Sequence, residues 1–497
     1  MNEHGLDLET ATVRQLSGWL ATGRLTAVAL VRACLGRIAA LDDRGPALHA
    51  VRALNPAALA DAEAADERLR AGERGPLTGI PVLVKDNIDV LGLPTTAGSL
   101  ALARSYPAAD APLVTALRRA GAVILGKANL TELANFLAED MPGGYSSLGG
   151  QVLNPYDASR TPRGSSAGSA VAVAAGLAVL SVGSETSGSI LAPAHANSVV
   201  GIKPTVGLVP RTGMLPIASS QDTAGPLTRT VADAAALLTV LAARDPRDPA
   251  TAVNPLADHD FTGDLDLGAL RGKRIGVVRA ELPDDERALF DAAAQAMRDR
   301  GAVLVPVEVD LSGNGSSVLT YEFKRDLNTY LSGLPADAPC RSLADVLAFN
   351  EANAAATLKF GQARALAAQA KDLTPDSADT RRYLADRALD LAENKDRLDA
   401  VLAAENLTAL LFAGCSGSVI GARAGYPSVC VPAGYLAADR RPFGVTLLGP
   451  AWSEPELVGC AYAFEQATRL RRPPSVVNPA AMRRHGREAA TAMEEIG

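Results

Sequence analysis

The stretch GSETSGS, residues 183–189, places three serine hydroxyls, a threonine and a glutamate within seven residues, in a setting of small side chains that suits a tight turn. A hydroxyl in such a turn is a candidate nucleophile for acyl transfer, provided that a base can take its proton. A second candidate, GSSAG at 164–168, matches G-x-S-x-G and nominates Ser166. That scheme needs an acid and then a histidine further along the chain. There are five histidines, His4, His49, His195, His259 and His485. His259 falls in an Asp/Pro-rich connection and His485 in a polar tail, while His195 stands six residues past Ser189, where it reads as a hydrogen-bonding or packing residue. A histidine-based triad is therefore poorly supplied.

An amine can replace the histidine once it is neutral, and burial does this by pulling a lysine down from its ordinary pKa of about 10.4. Lys85 closes the apolar run GIPVLVK, 79–85, where desolvation is available. Pairing with Asp86 or Asp89, or extension of its stem to water, fits the same position. GAVILGKA at 121–128 approaches the phosphate-loop pattern but fails it: Ala128 offers no hydroxyl to magnesium, and the intervening residues spell a strand instead of a flexible glycine loop.

The elements that must hold these residues follow from hydrophobic spacing. Residues 10–41 have helical periodicity interrupted at Gly23 and restarted by the cap-like Thr26, which predicts two helices. Residues 75–92 predict a buried strand, 170–180 a buried helix of small residues, and both 111–130 and 289–309 a helix followed by a strand. This alternation predicts an α/β fold with part of its sheet parallel. Residues 244–268 fit a linker or a long surface connection, and 320–405 are mainly helical. The loop 141–147, with Glu139 and Asp140 before it, fits a surface loop or a cleft wall.

With 497 residues, 48% of them hydrophobic, the chain can bury a large core. A net charge of −7 without a long basic run argues against a nucleic-acid partner. Cys34, Cys340, Cys415, Cys430 and Cys460 lack C-x-x-C spacing, so neither a zinc site nor a disulfide framework is indicated and a reducing compartment fits. The N-terminus is acidic where a signal peptide would be basic, and no apolar run is long enough to span a bilayer. A cytoplasmic protein without a membrane partner is expected.

The segment 79–99, the block 154–235 containing GSSAGS, SETSGSI, GIKPTVGLV and SQDTAGP, and GYPSVCVPAGY at 425–435 together resemble the amidase signature family. The similarity runs from the first helices to beyond residue 430, is weakest over 250–405, and is greatest towards peptide amidase and related bacterial amidases. It implies a single α/β domain over 1–497, one large mixed β-sheet covered by helices on both faces, with 320–405 as a peripheral helical elaboration. Residue by residue, it implies Lys85 as the base, Ser165 as a proton bridge in a cis peptide, and Ser189, 24 positions later, as the nucleophile. It further implies an oxyanion hole from the backbone N–H groups of Thr186, Ser187, Gly188 and Ser189, with Asp222 in support, either orienting the serine loops or capping a turn.

Arg163 and Ala167 stand where glycines are common, Glu185 replaces an aspartate and Ser187 a glycine, yet no catalytic position is lost. Relatives that act on carboxylate-bearing substrates often carry an arginine two or three residues after the nucleophile, where this chain has Leu191 and Ala192. The expected activity is hydrolysis of small-molecule or peptide amides with neutral or apolar acyl groups through an acyl-enzyme, with no metal and no organic cofactor; a homodimer is allowed. The alternatives are a glutaminase component of a transamidation complex, delivering ammonia to a partner, and a ligand-binding module without turnover.

Overall fold

The computed structural model describes residues 5–311 and 315–483. Among these residues thirteen strands occur in chain order: β1 Val51–Leu54, β2 Pro81–Lys85, β3 Val123–Ala128, β4 Tyr145–Ser146, β5 Gly150–Gln151, β6 Leu180–Glu185, β7 Val200–Lys203, β8 Thr223–Thr228, β9 Arg274–Val278, β10 Val303–Val307, β11 Ala409–Ala413, β12 Ser428–Tyr435 and β13 Pro442–Leu448. Eleven of them form one sheet in the order β1-β3-β2-β6-β8-β7-β12-β13-β11-β9-β10, while β4 and β5 pair separately. The sheet is mixed: β3, β2 and β6 run parallel, as do β11, β9 and β10, and the strands between are antiparallel.

The two-residue period of a strand lets one sequence serve two cores. In β11, Ala409, Leu411 and Ala413 face the larger core, while Leu410 and Phe412 face a smaller one with Leu398, Ile420 and Tyr426. Helices Ala27–Arg37, Val231–Leu241, Asp284–Asp299 and Glu454–Thr468 contribute to the larger core. Helices Ala167–Ala174 and Leu191–Ala196 pack through Ala170, Val173, Ile190, Leu191 and Ala194 against Leu227 and Cys430.

The opening helices fall where their spacing puts them, at Val13–Ala21 and Ala27–Arg37, and the Thr26 hydroxyl caps the second by accepting the Ala29 N–H at 3.1 Å. The helix expected over 170–180 is displaced: it spans Ala167–Ala174, and β6 begins at Leu180. Gly176 ends it with φ +67°, and a Cβ there would meet the Leu8 backbone at 2.7 Å, so only glycine allows the close approach. Residues 244–268 form a surface connection with two short 3₁₀ turns. All five cysteines are unpaired. Among the described residues no helix is long and apolar enough to cross a membrane.

Helices Val318–Ser332, Leu343–Ala352 and Ala363–Gln369 reach back over the loops at one end of the sheet. Phe323, Leu327, Leu331, Leu343 and Val346 share a core with Leu133, Leu137, Leu215 and Ile217. Glu322 and Asp326 accept the N–H groups of Ser220 and Ser219 at 3.0 and 2.8 Å.

Close strand packing at the sheet centre yields a direct stability test. A Cβ on Gly225 in β8 would lie 2.1 Å from the Ile202 carbonyl oxygen in β7. Gly225→Ala is expected to cost about 1–3 kcal/mol, measured as a lower denaturation midpoint at unchanged m-value.

Candidate active site

β2 and β6 are neighbouring parallel strands with Val84 opposite Val182, so their ends bring Lys85 beside Ser184. Lys85 is fully buried. Its Nζ lies 2.7 Å from Ser165 Oγ, 2.9 Å from Ser184 Oγ and 3.0 Å from the Ser184 carbonyl oxygen. No carboxylate pairs with it among the described residues: Asp86 is taken instead by Lys127 at 3.0 Å and by the Thr96 hydroxyl, and Asp89 accepts the Tyr330 hydroxyl. Burial therefore pulls the Lys85 pKa down to about 7, against the partial opposition of the Glu185 and Asp222 charges.

The partners also set which way the neutral amine faces. The Ser184 carbonyl can only accept, and the Ser184 hydroxyl can accept from Nζ while giving its own proton to Asn87 Oδ1 at 3.3 Å. Two amine hydrogens are thus directed at Ser184, which leaves the lone pair for Ser165. Motif reasoning does not reach Ser184 and Asn87; the alternation of β6 is the signal that aims Ser184 at the lysine, since Ser181 and Ser184 lie one on each face.

Ser165 follows a cis peptide bond from Gly164 and is fully buried; its carbonyl accepts the Thr131 N–H at 3.1 Å. Ser166 cannot act as the exposed serine of an acid–histidine scheme, because its hydroxyl is engaged with the Ser184 backbone at 2.9 and 3.2 Å inside the core. Its N–H donates to the Ser189 carbonyl at 3.1 Å and ties the two serine loops together. Ser189 is 8% exposed, the most open of the three sequence-nominated residues. The Lys85–Ser165 contact is made, whereas no hydrogen bond joins the hydroxyls of Ser165 and Ser189 among the described residues.

Glu185 shapes the turn. Its carboxylate accepts the N–H groups of Gly188 at 2.7 Å, Ile190 at 2.7 Å and Leu191 at 2.9 Å. This corrects one expectation: Gly188 N–H is committed to a carboxylate and is not a free oxyanion donor, since a single hydrogen pointed at Glu185 cannot also be presented to a substrate. Lys203, buried behind it, is held down to about 8 by desolvation, with Glu185 and Glu454 opposing. A lone acid in a glycine-serine turn needs N–H donors when buried, which is the cue that marks Glu185 in the sequence. Asp222 accepts the Thr186 hydroxyl and the N–H groups of Ile217 and Ala218, and burial raises it to about 7.

The remaining residues take structural places. Lys127, from the phosphate-loop look-alike, is paired with Asp86. Residues 141–147 wrap the segment entering Ser165, with Gly144 N–H on the Thr131 hydroxyl at 2.7 Å and the Gly143 carbonyl accepting Gln151 Nε2 at 2.9 Å. Glu139 and Asp140 are exposed. His49 and His259 bond to the Gln151 carbonyl and to Asp264, and His4 and His485 lie outside the described residues.

A family model described as Amidase matches residues 29–458. A probable amidase of Arabidopsis thaliana is 40% identical over 487 residues, covering 95% of this chain and 92% of that protein. The native peptide amidase of Stenotrophomonas maltophilia superposes with a TM-score of 0.89 at 47% identity, covering 93% of this chain and 98% of that one. A glutamyl-tRNA(Gln) amidotransferase subunit of Chloroflexus aurantiacus is 43% identical over 310 residues, 61% of each chain.

Because Glu185 holds three N–H groups of the turn that carries Ser189, Glu185→Gln, which offers one acceptor oxygen and an unwanted NH₂, is expected to lower kcat about 10- to 100-fold. Steady-state kinetics alongside an unchanged circular dichroism spectrum would check this.

Proposed function

The chain belongs to the amidase family, and we propose that it hydrolyses carboxamide C–N bonds through Lys85, Ser165 and Ser189 by way of an acyl-enzyme. The observation that carries this reading is the buried, carboxylate-free amine of Lys85 in contact with Ser165 Oγ. Ser189 Oγ attacks the amide carbon and its proton passes to Ser165 Oγ, whose own proton moves to Lys85 Nζ. As the C–N bond breaks, the relay runs in reverse and the proton reaches the departing nitrogen, which leaves as ammonia or an amine. Water then attacks the Ser189 ester and the same relay takes its proton; the acyl–Oγ bond breaks as that proton returns to Ser189 Oγ, and the carboxylic acid is released. The Ser165–Ser189 contact completes the relay when substrate seats, as catalytic hydrogen bonds in empty sites commonly tighten on binding.

Thr186, Ser187 and Ser189 supply the backbone donors for the oxyanion, and Asp222 holds the Thr186 side of the loop through the hydroxyl it accepts. Leu191 and Ala192, where an arginine would bind a carboxylate close to the scissile carbonyl, favour neutral or apolar acyl groups. The likeness over 93–95% of the chain to a probable amidase and to peptide amidase supports turnover by the chain alone. The likeness to an amidotransferase component over 61% of the chain favours a second reading, ammonia supply to a partner.

Ammonia release by the purified chain across peptide amides, aliphatic and aromatic amides and glutamine separates the two. Turnover of neutral amides by the chain alone is expected, and silence without a partner, with glutamine the preferred substrate once one is added, would replace the first reading with the second. Failure of a fluorophosphonate to label Ser189 would instead indicate binding without turnover. Ser189→Ala and Lys85→Ala are expected to lose about 10²- to 10⁴-fold in kcat/KM.

The pH dependence has a definite sign. Lys85 must be neutral to accept a proton, so kcat/KM should rise about tenfold per pH unit below pH 7 and level off above it. A profile measured on a neutral amide checks this; a rate that is flat from pH 5 to 8 would remove Lys85 as the base.

A further inference from the structure

A cavity of about 310 Å³ lies beside helix Leu191–Ala196, and its lining includes Asp157, Arg160, Thr161, Arg163, His195 and Arg441. Two of the three arginines are already matched. Arg160 lies 3.0 Å from Asp439 and 3.6 Å from Asp157, and Arg441 lies 2.9 Å from Glu286 and 3.7 Å from Asp439. Asp157, the one carboxylate in the lining among the described residues, also takes the N–H and hydroxyl of Ser159. Arg163 is exposed and has no ion pair and no side-chain hydrogen bond among the described residues.

The backbone at Arg163 strengthens the case. Its φ is +59°, a left-handed conformation that glycine adopts freely and that an L-residue with a Cβ resists. The chain thus holds an unmatched guanidinium at a position where glycine would fit with less strain, two residues before Ser165. In the same lining, His195 Nδ1 accepts the Gly444 N–H at 2.9 Å, which places the ring proton of the neutral imidazole on Nε2. Burial first, and then the Arg163 and Arg441 charges, push the His195 pKa down to about 4, so the ring is neutral at working pH and presents one N–H. Hydroxyl-bearing Thr161 adds a further donor. The lining has donors without matching acceptors, and the charge left uncompensated is positive.

We propose that this cavity binds an oxyanion, a carboxylate or phosphate group, with Arg163 as its charged anchor and the Nε2–H of His195 as a second donor. Lys85, Ser165, Ser189, Leu191 and Ala192 are not among its lining residues, and its occupancy does not depend on which hydroxyl attacks the amide. The anion is either a free ion or the remote end of an amide substrate.

Arg163→Gly tests the proposal without a folding penalty, because glycine suits the left-handed backbone. Inorganic phosphate and acetate are titrated calorimetrically and by thermal shift into the native chain and the variant. In parallel, kcat/KM is measured for two amides that differ only in a carboxylate several bonds from the scissile carbonyl. Tenfold or greater weakening of phosphate or acetate binding in Arg163→Gly, with turnover of the neutral amide kept, establishes a free-anion site. A tenfold or greater fall in the carboxylate-to-neutral ratio of kcat/KM assigns the anion to the substrate. If the native chain and Arg163→Gly respond alike to both ions and to both amides, the proposal is overturned.

Discussion

A cation stripped of water costs several kcal/mol unless an opposite charge lies beside it, and this structure treats its buried lysines unequally in that respect. Lys127 and Lys85 lie towards the ends of adjacent strands and are equally hidden. Asp86 sits beside both in the fold but its carboxylate goes to Lys127 and Thr96. Lys85 receives only hydroxyl and carbonyl oxygens. The assignment of one carboxylate to one lysine therefore leaves the other without an ion pair, its pKa lowered by burial, and the relay proposed above rests on that difference.

Around that amine the protein uses its buried acids to fix backbone geometry. Glu185 draws three N–H groups of the turn that carries Ser189 towards one carboxylate, and Asp222 gathers two more with the Thr186 hydroxyl. Both acids are pushed up by desolvation, and each is supported by hydrogen bonds that favour its ionised form. Fixed dipoles of this kind need no reorganisation as charge develops on a substrate, which is the physical basis of electrostatic preorganisation. The accompanying cost is rigidity: Gly188 cannot serve the turn and a substrate with one N–H.

The sheet and the helices divide the remaining work. Parallel β2 and β6 set the separation of Lys85 and Ser184 through backbone hydrogen bonding, which tolerates little variation. The helical segment 318–332 holds the other side of the site through Glu322 and Asp326 on the Ser219–Ser220 backbone and through Tyr330 on Asp89. Glu322 and Asp326 are in turn bridged by Arg325, at 3.4 and 2.7 Å. The helical segment thus touches the loop that carries Asp222.

Local spacing was enough to determine several features. Apolar residues ending in Lys85 announced a buried strand with a lysine at its tip, Thr26 announced a helix start, and small residues in 164–168 and 183–189 announced tight turns. The shortage of suitable histidines leaves an amine as the available base, and a count of residue types needs no coordinates. Other features depend on partners distant in the chain and were decided by tertiary structure alone. Whether Lys85 met Asp86, Asp89 or a serine could not be read from neighbours that fit all three, and pairing across strands chose the serine. The end of the helix at Ala174 rests on the approach of Leu8 to Gly176, and the loss of Gly188 as an oxyanion donor on the reach of Glu185 around a turn. Sequence records which groups can bond; desolvation and non-local packing decide which bonds form.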